Sequence, residues 1–248
     1  MFIKKTGNSN AKTRIIWLHG WGHNHTVFAT LSNLFDDEVE NYLIDLRGFG
    51  QADLPPTAWG SIDYTKELIA WLKTLSTKKT IIVGHSFGGR IAIQAAQLLP
   101  TTISNIILIA ASGLKKKRSI SFKLKALVLK YIGKCIKIID KIFNTAFKET
   151  YSRNVGSSDY RATHGIMRKV FLKIIHEDLS NIANQLKTPT LLIYGSNDQE
   201  TPVQFGQCYN QLIENSKLVE LPDFDHYNIL SNGRHQVYNL ITTFLGKK

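Results

Sequence analysis

A doubly wound, mostly parallel α/β sheet carrying one helical insertion is the fold class that this sequence predicts. Two observations predict it. Six short apolar runs recur along the 248-residue chain, each closing on a small or polar residue, with helical patterns between them. The runs are almost continuously apolar and β-branched rather than alternating, which is how strands buried on both faces of a covered sheet read.

In chain order the predicted strands are Arg14–His19, Asn41–Asp45, Thr80–Gly84, Asn105–Ala110, Thr190–Tyr194 and Lys217–Leu221. Between them, Ile62–Leu75 places Leu68, Ile69, Leu72 and Leu75 at helical spacing. Phe87–Leu99 is small and apolar and stops at Pro100. Thr201–Ile213 opens with Thr201 as N-cap, Pro202 at the first helical position and Gln204 closing a capping box. His235–Phe244 makes a C-terminal helix. Strands alternating with helices give an open sheet whose ligand site lies at the carboxyl ends of the strands. The segment Gly113 to Lys187 breaks the alternation and reads as helices without a strand. The expected organisation is a core of 1–112 and 188–248 with 113–187 as a helical cap, or lid, over the site.

Composition bounds the function. With 43% hydrophobic and 20% charged residues the chain is an ordinary globular domain. Cys135 and Cys208 form neither a CxxC pair nor a metal motif, and a cytoplasmic, reducing setting fits them. The opening MFIKKTGNSN has no signal-peptide stretch, and Val128 to Phe143, the longest apolar candidate, is interrupted by Lys130, Lys134, Lys137 and Lys141. The net charge of +12 attracts acidic partners, although the Lys, Ile and Asn richness also matches an AT-rich genome.

The chemistry is carried by loops after the strands. Gly84-His85-Ser86-Phe87-Gly88 is a G-x-S-x-G sequence between a predicted strand and a predicted helix, the context of a nucleophile elbow. There the serine stands on a sharp turn that exposes its hydroxyl, and small neighbours let strand and helix approach. A hydroxyl needs a base to take its proton. In enzymes built on this turn the order is serine, acid, histidine. Asp198 follows the strand TLLIYG and His226 follows KLVEL, so both fall on the rim that holds Ser86. The aspartate fixes the imidazole tautomer and stabilises the imidazolium. Asp223 and Asp225 are rival acids, but Asp225 adjoins His226, and neighbouring loop side chains usually diverge. An oxyanion needs two donors. They are expected from the backbone N–H of Phe87 and of Trp21, the latter in a loop that Gly20 and Gly22 let reach the site. His19 reads as a structural hydrogen-bonder. His23, His25 and His85 read as ordinary loop histidines, not a metal site, and Asp45 and Arg47 as loop-fixing residues.

Together HGWG at 19–22, DLRGFG at 45–50, GHSFGG at 84–89, GSNDQETP at 195–202 and Asp225-His226 resemble the α/β-hydrolase superfamily across 1–112 and 188–248. The resemblance implies the α/β-hydrolase fold and a carboxylesterase-like activity that requires no cofactor or metal. HGWG is similar to carboxylesterases that cleave pimeloyl-acyl-carrier-protein methyl ester in biotin synthesis. The stretch GSSDYRATHGIMRKVFLKIIHEDL at 156–179 instead resembles a cap of poorly characterised bacterial α/β hydrolases. A serine nucleophile argues against haloalkane dehalogenases and epoxide hydrolases.

Between Gly113 and Thr150 stand eleven basic residues against Asp140 and Glu149, which supplies nine of the chain's twelve net positive charges. Lys123, Lys130, Lys134, Lys137, Lys141 and Lys148 form one stripe at helical spacing. The stripe is a solvated face, a dock for an acidic acyl carrier protein, or a contact with anionic membrane; no nucleic-acid recognition motif accompanies it. The expected protein is a cytoplasmic serine hydrolase acting on a small or carrier-bound acyl ester or thioester through an acyl-enzyme. The alternatives are a pimeloyl-acyl-carrier-protein methyl ester esterase, a carbon–carbon bond hydrolase or cofactor-free haloperoxidase on the same triad, and a non-catalytic binding module.

Overall fold

The computed structural model describes residues 1–115, 131–132, 136 and 158–246. Seven strands form one sheet in the order β1-β3-β2-β4-β5-β6-β7. They are β1 Phe2–Gly7, β2 Thr13–Leu18, β3 Glu40–Asp45, β4 Lys79–His85, β5 Ile103–Ile109, β6 Thr190–Gly195 and β7 Ser216–Leu221. All neighbours are parallel except β1, which runs antiparallel to β3 at the edge. The doubly wound, mostly parallel α/β sheet expected from the sequence is the sheet observed.

Alternate residues of each strand supply opposite faces, so both faces must be apolar. Ile16, Leu18, Ile82, Ile106, Leu108 and Leu192 point to one layer, where they meet α2 (Ser61–Leu72) and α3 (Phe87–Leu98). Ile15, Trp17, Ile81, Val83, Ile107 and Ile193 point to the other, against Phe28, Leu31, Phe35, Val237 and Ile241. Phe28, Leu31 and Phe35 flank or belong to the short α1 (Ala29–Ser32); Val237 and Ile241 belong to the C-terminal helix Arg234–Phe244. The connection after β2 therefore covers one face and the helix after β4 covers the other. The winding reverses between these adjacent strands, and a crevice opens at their carboxyl ends, where open α/β sheets bind ligands.

α3 is the central helix, buried at nearly every position. It lies so close to β2 that a side chain at Gly88 would collide with the Leu18 carbonyl. After β5, the described part of the insertion comprises α4 (Ser158–Ala162), α5 (Gly165–Ile174) and α6 (Ser180–Asn184), with no strand among the described residues. α5 buries Met167, Val170, Phe171 and Ile174 on one face. β6 then rejoins the sheet beside β5 through four register pairs, Ile106–Thr190 to Ile109–Ile193. α7 (Val203–Leu212), α8 (Asn228–Ser231) and α9 (Arg234–Phe244) complete the chain. The six lysines of the basic stripe, and Cys135, lie outside the described residues. Cys208 is a free, exposed thiol. Among the described residues no helix is long and apolar enough to cross a membrane, and no group of three or more His, Cys, Asp or Glu could hold a metal ion.

Two sequence readings are corrected here. β1 was not expected: FIKKTG carries two lysines and is only partly buried, because an edge strand exposes one side to water. Thr201 is not the cap of the following helix. Pro202 holds the N-cap position without a side-chain hydrogen bond, and the Thr201 hydroxyl turns inward to the site.

Candidate active site

A cavity of about 480 Å³ opens at the carboxyl rim, and Ser86, Trp21, Phe87 and His226 all line it. Ser86 stands between β4 and α3 with φ 49° and ψ −109°. A left-handed φ is rare for a residue with a β-carbon and costs about 1–3 kcal/mol, so surrounding bonds must hold it. They do. The Ser86 N–H donates to the Ile109 carbonyl at 3.1 Å, and the Ser86 carbonyl accepts from the N–H groups of Gly89 and Ser112 at 3.1 Å each. The other positive-φ non-glycine residues among those described, Ala110 and Asp223, also follow strand ends on this rim.

Asp198 and His226 meet after β6 and β7. His226 Nδ1–H donates to Asp198 Oδ2 at 2.7 Å, with both side chains buried. Asp198 Oδ1 accepts from the N–H groups of Glu200 and Thr201 at 2.8 Å. The Thr201 hydroxyl lies 2.9 Å from Asp198 Oδ2, 2.9 Å from the Ala110 carbonyl and 3.1 Å from His226 Nδ1. These contacts leave His226 Nε2 as the nitrogen free to take a proton. Among the described residues Ser86 Oγ makes no hydrogen bond to His226; the two share the cavity wall. Of the rival acids, Asp225 accepts with its carboxylate from the Tyr227 and Asn228 N–H groups, and Asp223 is held in its turn by its N–H, which donates to Ser196 Oγ.

Trp21 and Phe87 line the cavity with Ser86, their rings 5.6 Å apart. The Phe87 N–H is in the first turn of α3, where no carbonyl four residues back is available to it. Gly20 approaches so closely that a β-carbon would stand 2.8 Å from His85 Nδ1. Phe171 of α5 packs on the Trp21 ring at 5.1 Å, which lays the described part of the insertion against the site.

The histidines divide. His19 is the structural hydrogen-bonder expected: Nδ1–H donates to the Gly20 carbonyl at 2.7 Å and Nε2 accepts the Leu46 N–H at 3.1 Å. Burial pushes its pKa down to about 4. His25 and His85 are not ordinary loop histidines. His25 is buried and donates to Asp45 from both its backbone N–H and Nδ1, at 2.6 and 2.8 Å. Asp45 also takes the Gln51 N–H, and these bonds outweigh the upward push of burial and hold its carboxyl below the usual range. Arg47 reaches Glu67 at 2.7 Å. His85, the last residue of β4, is fully buried, and burial holds its ring well below the ordinary histidine pKa. Its Nε2–H donates to the backbone carbonyl of His226 at 2.9 Å, tying the strand that leads to Ser86 to the loop that carries His226. His23 lines the cavity, its pKa lowered by burial and by the nearness of His226.

A family model described as the alpha/beta hydrolase fold matches residues 13–233. Two relatives align over nearly the full length. The AB hydrolase superfamily protein YisY of Bacillus subtilis is 26% identical over 98% of this chain and 94% of its own. A pimeloyl-[acyl-carrier protein] methyl ester esterase of Wigglesworthia glossinidia brevipalpis is 26% identical over 90% of each. Among solved structures, a lipase-esterase related protein from Clostridium acetobutylicum superposes with a TM-score of 0.71 at 21% identity, covering 98% of both chains. On the match of the family across its sheet and the loops of its rim, the chain belongs to the α/β-hydrolase fold family.

Proposed function

We propose that this protein is a serine hydrolase that cleaves a carboxylic ester or thioester through an acyl-enzyme. The observation that carries the reading is the buried 2.7 Å bond between His226 and Asp198 at the wall of the cavity that holds the strained Ser86. Ser86 Oγ attacks the substrate carbonyl. His226 Nε2 takes its proton and returns it to the departing oxygen or sulfur. Asp198 holds the tautomer that leaves Nε2 free and stabilises the imidazolium. The oxyanion is held by the N–H groups of Trp21 and Phe87. Water, activated by His226, then releases the acid and restores Ser86.

In this reading residues 113–187 form a cap over the site, and α5 against Trp21 supports that placement. The reaction belongs in the cytoplasm, on small or carrier-bound acyl esters. The relatives named as pimeloyl-[acyl-carrier protein] methyl ester esterases favour one specific version, a methyl ester on an acyl chain carried by an acidic protein. The surplus of basic residues between Gly113 and Thr150 is complementary in charge to such a carrier.

The test is hydrolysis of p-nitrophenyl esters of increasing acyl length by the wild type and by Ser86→Ala. Turnover should disappear in the variant, and a fluorophosphonate should label Ser86 in the wild type. An unlabelled Ser86, or equal turnover by the variant, overturns the reading.

A further inference from the structure

The cavity wall carries charge of both signs. Its lining holds two separate groups of charge: Arg90, Lys115 and His176, and the pair Asp159 and Glu200, which act on each other and on Tyr227, with Asp159 also within electrostatic reach of His226. Asp159 is partly buried, and burial together with the charge of Glu200 raises its pKa. The carboxylates that balance the basic group, Glu177 and Asp178, do not line the cavity. Glu177 Oε2 lies 3.6 Å from Arg90 Nη1, and Asp178 lies 3.8 Å from Lys115.

Arg90 is the unusual member. It follows Ser86 by one turn of α3, is 6% exposed, and yet reaches the cavity. Its Nε donates to Ser112 Oγ at 3.0 Å, but Nη1 has no hydrogen-bond partner, and neither has Glu177 Oε2. A buried guanidinium repays its desolvation only when its donors are filled. Its planar fork matches the paired oxygens of a carboxylate or a phosphate, and of these a carboxylate is what an acyl chain carries at its far end. Direction follows from the proposed chemistry. The leaving group must lie next to His226, which protonates it, and so by the acidic pair. The acyl remainder then extends away from His226, toward Arg90.

We infer that Arg90 is a specificity-determining residue that binds a carboxylate at the far end of the substrate's acyl chain, so that the preferred substrate is a monoester or monothioester of a dicarboxylic acid with its far carboxyl free, in place of the carrier-bound methyl ester, whose far end is a thioester. The inference rests on the serine-hydrolase reading for its direction. Lys115 adds long-range attraction at the same wall. Asp159 and Glu200 repel the anion from the leaving-group side, so the substrate enters in one orientation.

The experiment compares two substrates of equal acyl length, p-nitrophenyl hexanoate and mono-p-nitrophenyl adipate, which differ by a terminal carboxylate. The wild type should favour the adipate ester in kcat/KM by about 10- to 100-fold, the worth of a charge-assisted hydrogen bond. Arg90→Gln should bring that ratio close to one, chiefly through KM for the adipate ester, and Arg90→Lys should restore part of it. A wild-type ratio of one or below overturns the inference without any variant. So does an Arg90→Gln protein that slows on both substrates in proportion, which is the mark of a structural role. Should the wild type hydrolyse neither ester, the ester-hydrolase reading has failed separately. Calorimetry with adipate then decides: binding that Arg90→Gln abolishes upholds the anion site, and absence of binding to the wild type overturns it.

Discussion

At the scale of single residues, the site depends on side chains that have no part in bond making. Thr201 is one. Its hydroxyl touches Asp198, His226 and the Ala110 carbonyl within 3.1 Å, so it fixes Asp198 and His226 against the end of β5. Thr201→Val keeps the shape and removes the hydrogen bonds. It should lower kcat roughly 10-fold, on the scale of one buried hydrogen bond, with KM little changed. Steady-state kinetics on a p-nitrophenyl ester check this, and an unchanged kcat would show that Asp198 needs no such support. The sequence invited a different role for this threonine, because Thr-Pro before an apolar pattern is the ordinary start of a helix. His85 was hidden in another way. It is the variable position of G-x-S-x-G, and only the three-dimensional return of β7 brings the His226 carbonyl to its ring.

At the scale of elements, small residues set the distance between α3 and β2. Gly88→Ala puts a methyl group into the Leu18 carbonyl, and neither backbone can yield without moving Ser86. Overpacking of this kind costs about 1–3 kcal/mol and more where backbone is struck. Thermal melting should therefore show a lower Tm, and labelling of Ser86 by a fluorophosphonate should fall as well. A folded, fully labelled variant would mean that α3 can shift freely. The six parallel strands were legible within one or two residues, because a strand buried on both faces leaves an unbroken apolar run, as TIIVG does. β1 was not, since Lys4 and Lys5 are exposed on an edge that only β3 protects. Loop positions of Ser86, Asp198 and His226 followed from the strands they close. What packs across the cavity did not: the pairing of Glu177 with Arg90 spans 87 residues and leaves no periodic trace.

At the scale of the whole molecule, buried neutral histidines tie stability to pH. His19 has its pKa held near 4 by burial, against about 6.5 in the unfolded chain. Between those values the unfolded state binds the proton and the folded state does not, so stability falls as pH falls through that window. The full loss from His19 is ~3 kcal/mol, and His85 acts in the same direction. Urea midpoints measured from about pH 7 down to about pH 4.5 should decline steadily, and less steeply in His19→Gln; a flat profile counts against the assignment. The pairing of β5 with β6 has a further consequence. Everything up to β5 carries Ser86, and everything from β6 onward carries Asp198 and His226. Inside the sheet these halves join through four residue pairs. If Ser86, Asp198 and His226 act together as proposed, the site works as a coincidence detector: turnover gauges how firmly two pieces of one polypeptide are clasped, by the β5–β6 ladder, by the shared apolar layer of Phe28 and Val237, and by the bonds of His85 to His226 and of Thr201 to Ala110.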